Sequence, residues 1–152
     1  MKLPYSITSD YCYLKRKLPK IDFKEFKKLA YFIAIRTGDK IEKVEEDAIL
    51  QSYYYAQFKD KNRALLCNAH YPFVTFVKNF RESNFGTIFV SEENEFIANL
   101  IRETYYFQYL PQSVLETELT PEILSNLDKV EKEEIKYWKS KTIGEVIFNY
   151  YD

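Results

Sequence analysis

Glycine is scarce in this chain, with three in 152 residues, at positions 38, 86 and 144. They lie too far apart to form a glycine-rich loop that cradles phosphate, which argues against the common nucleotide-binding enzymes. Proline is nearly as sparse, at five, and with 46% hydrophobic and 30% charged residues this excludes collagen-like, low-complexity and disordered chains. No run approaches the ~18 apolar residues that span a bilayer. The first residues, MKLPYSITSDYCYLKRK, lack the apolar stretch and small-residue cleavage site of a secretory leader. A cytoplasmic location is therefore expected. Two cysteines, Cys12 and Cys67, are too few for a disulfide framework and suit a reducing compartment, where they serve as small apolar side chains.

Histidine is rarer still. His70 is the single one, and Cys67 precedes it by three in LLCNAHYP. Zinc or a Cys-His catalytic pair would use both groups. A zinc site needs further ligands, however, and on an extended strand positions 67 and 70 point to opposite faces. The expectation is a buried thiol and a hydrogen-bonded or exposed imidazole, with no catalytic residue, no metal and no cofactor. Paired carboxylates such as Glu45, Glu46 and Asp47, or Glu133 and Glu134, sit in lysine-containing polar runs and read as solvated surface.

What the chain has in abundance is aromatic surface: 14 Tyr and 12 Phe beside one Trp and one Met. Codon bias in an AT-rich genome accounts for such enrichment. The functional alternative is an interface, where tyrosine is favoured because its ring buries area while its hydroxyl stays wet.

The pattern along the chain predicts an α+β fold, a mainly antiparallel sheet with three to four helices, in one domain over 1–152. Residues 5–14 alternate as a strand. Asp22 caps a helix through FKEFKKLAYFIAIRT, with Glu25 placed for a capping box, Phe23, Phe26, Ala30 and Ile33 forming its stripe, and Gly38 stopping it. Ala48–Phe58 alternates as a strand covered on one side, and DKNR then turns the chain into ALLCN as its hairpin partner. FVTFV at 73–77 and TIFV at 87–90 suit strands or buried helical turns. Ser91 opens a second helix with the stripe Phe96, Ile97, Leu100, Ile101 and Tyr105, and one or two short helices follow between 121 and 138. The closing TIGEVIFNYY, dense in β-formers, predicts a strand over 143–150 that is core.

Charge is segregated beneath a net of −1: residues 1–40 hold ten Lys or Arg against four acids, and residues 92–134 hold eleven acids against three bases. The basic runs LKRKLPK and FKEFKK, interleaved with aromatics, offer one function, a nucleic-acid-binding or regulatory module. The overall balance argues against nucleic acid as the partner. The acidic stretch offers another, a surface complementary to a basic protein.

A Trp in YWK, a short spacer and then IGEVIFNYYD, together with the looser LLCNAHYPF, resembles the pattern of small bacterial immunity proteins of contact-dependent-inhibition and polymorphic toxin systems, departing from it at Tyr151, where such endings carry Trp. The resemblance implies a noncatalytic inhibitor that binds the C-terminal domain of a cognate toxin, in many systems a nuclease with a basic cleft, and blocks its active site. On that basis Glu92, Glu93, Glu95, Glu103, Glu116 and Glu118 are the candidate electrostatic face, and Tyr105, Tyr106 and Tyr109 the candidate anchors.

Overall fold

A computed structural model describes residues 1–8, 19–46, 52–59, 62–83, 86–92 and 94–149. Helix α1 (Phe23–Thr37) begins where Asp22 accepts the Lys24 N–H at 2.9 Å, and it ends at Gly38, whose φ of 76° is open to glycine without steric penalty. The expected capping box does not close, because Glu25 instead pairs with Lys28 at 3.0 Å. Strands β1 (Ile41–Glu45), β2 (Tyr53–Phe58), β3 (Arg63–Asn68), β4 (Phe73–Ser83) and β5 (Gly86–Ser91) then form an antiparallel meander in chain order. After α2 (Glu95–Arg102), the two-residue β6 (Gln108–Tyr109) adds parallel to the start of β4. The chain continues through α3 (Gln112–Leu115), α4 (Lys129–Trp138) and α5 (Ile143–Ile147).

The register explains the layering. Across β2, β3 and β4, Tyr54 lies opposite Cys67 and Cys67 opposite Val74, while Ala56 meets Leu65 and Leu65 meets Phe76. These side chains share one face and pack beneath α1 and α2, against Phe26, Ile33, Ile97 and Ile101. Their neighbours Tyr53, Tyr55, Leu66 and Val77 point the other way, by the period of two along a strand, into a second core with Leu3, Ile7, Leu115, Ile135, Val146 and Phe148. The sheet is therefore covered on both faces, which corrects the one-sided strand expected over Ala48–Phe58; residues 48–51 of that run lie outside the described residues. Tyr53, Tyr54 and Tyr55 are all fully buried, each contributing about 1.5–3 kcal/mol of hydrophobic stabilisation.

One predicted strand is helical, and the described part of another is a turn. Residues 5–8 form a turn, with Ser6 at φ 68°, and the remainder of that segment, 9–14, lies outside the described residues. The segment after Thr142 is helical: Thr142 Oγ1 accepts the Glu145 N–H at 3.2 Å while Glu145 reaches back to the Thr142 N–H, and this reciprocal cap overrides the β-propensity of IGEVIF. Its burial is as expected, since Ile143, Val146, Ile147, Phe148 and Asn149 are all inside. Gly144 permits this packing, because a Cβ there would lie 3.0 Å from the Leu115 carbonyl oxygen and 3.1 Å from its Cβ.

A buried polar junction joins the segments that meet on this side. Asn68 donates to the carbonyls of Ile7 and Ile147 and accepts from the backbone of His70 and Tyr71. Ser52 and Asn149 bond to each other, and the Asn149 amide also donates to Thr8 O at 2.6 Å and Val146 O at 2.8 Å. Glu131, only 1% exposed, accepts from Ser6 N at 3.1 Å, from Thr8 Oγ1 at 3.0 Å, and more weakly from Thr8 N and Asp128 N, both at 3.4 Å. Burial raises the Glu131 pKa, opposed by these hydrogen bonds.

Candidate binding surface

Helix α2 is short and strongly two-sided. Asn94, rather than the expected Ser91, is its cap, accepting the Ile97 N–H at 3.1 Å. Ile97, Ala98, Leu100 and Ile101 face inward, which leaves Glu95, Phe96, Arg102 and Glu103 exposed. Phe96 thus falls outside the stripe in which it was expected. At 100° per residue the buried arc runs from Leu100 through Ile97 and Ile101 to Ala98, and Phe96 lies 40° beyond its Leu100 edge, on the solvent side.

The exit from α2 presents two tyrosines. Thr104 donates its hydroxyl to Ile101 O at 2.7 Å and accepts the Phe107 N–H at 3.3 Å, closing a tight turn. Within that turn Tyr105 stands at φ 57° with 96% of its surface exposed, so it too lies outside the stripe. A bulky residue in the left-handed region is a genuine outlier, since that conformation ordinarily falls to glycine or asparagine. Tyr106 is 51% exposed, and its ring meets the buried Phe107 edge to face at 4.8 Å. Tyr109 differs. It is 8% exposed, directs its hydroxyl to Glu92 O at 3.5 Å, and lies under the Arg102 guanidinium at 5.6 Å, so it belongs to the core.

The six candidate carboxylates do not form one face. Glu92 turns inward to Arg63 at 2.9 Å, and its Oε2 is buried without a hydrogen bond among the described residues. Glu95 bonds Arg102 at 3.1 Å, and Glu103 lies 4.0 Å from Arg36. Such exposed pairs are worth at most about 1 kcal/mol and open readily. Glu116 accepts from Gln112 at 2.7 Å, and Glu118 bridges Thr142 through its backbone; both follow α3, on the layer across the sheet from α2. Glu93 lies outside the described residues.

Cys67 and His70 are not a pair. Cys67 is fully buried beneath α1 and α2, where burial pushes its thiol far above the ordinary range, so it stays protonated and unreactive. His70 Nδ1 lies 2.7 Å from Pro19 O, and because a carbonyl can only accept, that nitrogen carries the proton. Among the described residues no group of three His, Cys, Asp or Glu side chains could hold a metal ion. The basic run LKRKLPK lies largely outside the described residues. No described helix is long and apolar enough to cross a membrane. The chain matches no family model, no curated protein and no solved structure.

Proposed function

We propose that the chain is a noncatalytic inhibitor, an immunity protein that binds a cognate bacterial toxin domain and occludes its active site. The observation that carries this reading is Tyr105. Its exposed ring contributes no burial to the isolated chain, and its left-handed backbone costs about 1 kcal/mol. The turn could be closed by glycine or asparagine, and a strained, exposed aromatic in their place is characteristic of contact sites, where a partner's pocket supplies the missing burial. Tyr106 beside it is a second anchor. Glu103 opens the same turn, and its exposed pairing with Arg36 opens readily, so it can offer a carboxylate to a basic cleft such as that of a nuclease. The C-terminal resemblance supplies the class of partner.

The test is co-expression of the tagged chain with the C-terminal domain of the large open reading frame upstream of its gene, scored by pull-down and growth rescue. Rescue together with a 1:1 complex is the expected result, and replacing Tyr105 and Tyr106 by Ala should weaken that complex by at least about 30-fold. A complex indifferent to both substitutions would move the interface away from this turn. Absence of both binding and rescue would remove the inhibitor reading altogether.

A further inference from the structure

Helix α4 turns two apolar side chains, Val130 and Tyr137, to solvent on either side of Glu133. Glu131 and Ile135 occupy its buried side, which at 100° per residue sends Val130, Glu133 and Tyr137 outward. Tyr137 is 75% exposed and meets the Trp138 ring edge to face at 5.3 Å. Trp138, also at the surface, donates its indole N–H to Glu134 at 3.1 Å. Lys129, Lys132 and Lys136, spaced three and four apart, line one flank of this face, and Lys139 and Lys141 follow the aromatic pair; all five are exposed. Against them stand Glu133, 3.9 Å from Lys129, and Glu134, held by the indole, while Glu131 is inside. Over residues 129–141 five exposed lysines thus stand against Glu133 and Glu134, and this surface is basic on balance.

We infer that this face of α4 is a second binding surface, for single-stranded nucleic acid, with a base stacked on Tyr137, phosphates along Lys129, Lys132 and Lys136, and the 37% exposed Trp138 at its edge. Exposed rings beside a row of amines meet both needs of such binding, since stacking tolerates any base and each amine that meets a phosphate releases counter-ions. An anionic membrane fits less well. Glu133 and Glu134 would oppose lipid phosphates, and one Val with two aromatics is too little apolar area to sink into a bilayer. The surface belongs to the layer across the sheet from the Tyr105 turn, so it stands or falls separately from the inhibitor reading.

Trp138 is the chain's one tryptophan, so its fluorescence reports this surface. A mixed-sequence single-stranded oligonucleotide of ~12 nucleotides is expected to quench it saturably. Raising salt from about 50 to about 200 mM should weaken binding about 20-fold if three phosphates are contacted. Tyr137→Ala should weaken it about tenfold, and Lys132→Glu with Lys136→Glu should lower both affinity and salt dependence. These exposed positions should leave the melting temperature unchanged, which separates loss of the surface from loss of the fold. Absence of quenching at about 50 mM salt, quenching indifferent to the substitutions, or equal quenching by polyglutamate or anionic vesicles would overturn the inference.

Discussion

At the scale of single residues, the two least ordinary positions are Tyr105 and Glu131, and they make opposite predictions about stability. Tyr105 is strained and exposed, so Tyr105→Gly should leave the unfolding free energy measured in urea unchanged or raise it, by up to about 1 kcal/mol, while reducing partner binding. A marked loss of stability would show that the ring packs internally. Glu131 is a buried carboxylate whose raised pKa means that the folded chain holds its proton to higher pH than the unfolded chain. The stability it contributes is thus fullest below the ordinary glutamate value of about 4.3 and is lost as the pH rises through the raised value. Measured by urea unfolding across that window, wild type should lose stability relative to Glu131→Gln as the pH rises. A widening advantage for wild type would mean that the four hydrogen bonds outweigh burial. Neither residue stood out in the sequence as it does in the structure. The backbone angle of Tyr105 has no sequence signal, and nothing in the spacing of Asp128 and Glu131 tells that Ser6 and Thr8 close over the carboxylate.

At the scale of elements, the helices announced themselves through their caps. Asp22 and Gly38 bracket α1 as expected, and Asp128 with Glu131 opens α4 with a complete capping box. The error at α5 has the same lesson in reverse. Thr142-Ile-Gly-Glu145 carries a capping signal as clear as the others, and it prevails over the density of β-branched and aromatic residues that follows it. A five-residue helix has too few turns to show a stripe, so only its cap could reveal it. Packing then depends on Gly144. Gly144→Ala would favour the helix intrinsically but drive a methyl into Leu115, and overpacking of this kind should cost about 1–3 kcal/mol in urea unfolding. A neutral result would mean that α3 and α5 can separate without loss.

At the scale of the whole molecule, an antiparallel meander carries helices on both faces, and the tyrosine-rich run of β2 shows why. Tyr53, Tyr54 and Tyr55 in succession cannot alternate between core and water, so both sides must be covered. That inference was available from the sequence, whereas the partner of each face was not, because strand patterns do not reveal which helix crosses over. The second face is built from opposite ends of the described chain, with Leu3 and Ile7 packed among Val146, Ile147 and Phe148. Deleting residues 147–152 should therefore yield insoluble or unfolded protein, since it removes two core side chains together with Asn149 of the polar junction. A truncated chain that melts like the full-length one would refute this.

The bond from Asn149 to Thr8 spans 141 positions, and the one from Ser6 to Glu131 spans 125. Biosynthesis delivers those partners in a fixed order. The early strands and α1 can assemble as they leave the ribosome, but the face formed by residues 3–8 must wait, its apolar groups uncovered, until Asn149 has emerged. Nascent chains stalled just short of that point should be cut readily by protease, and chains extended past it should resist.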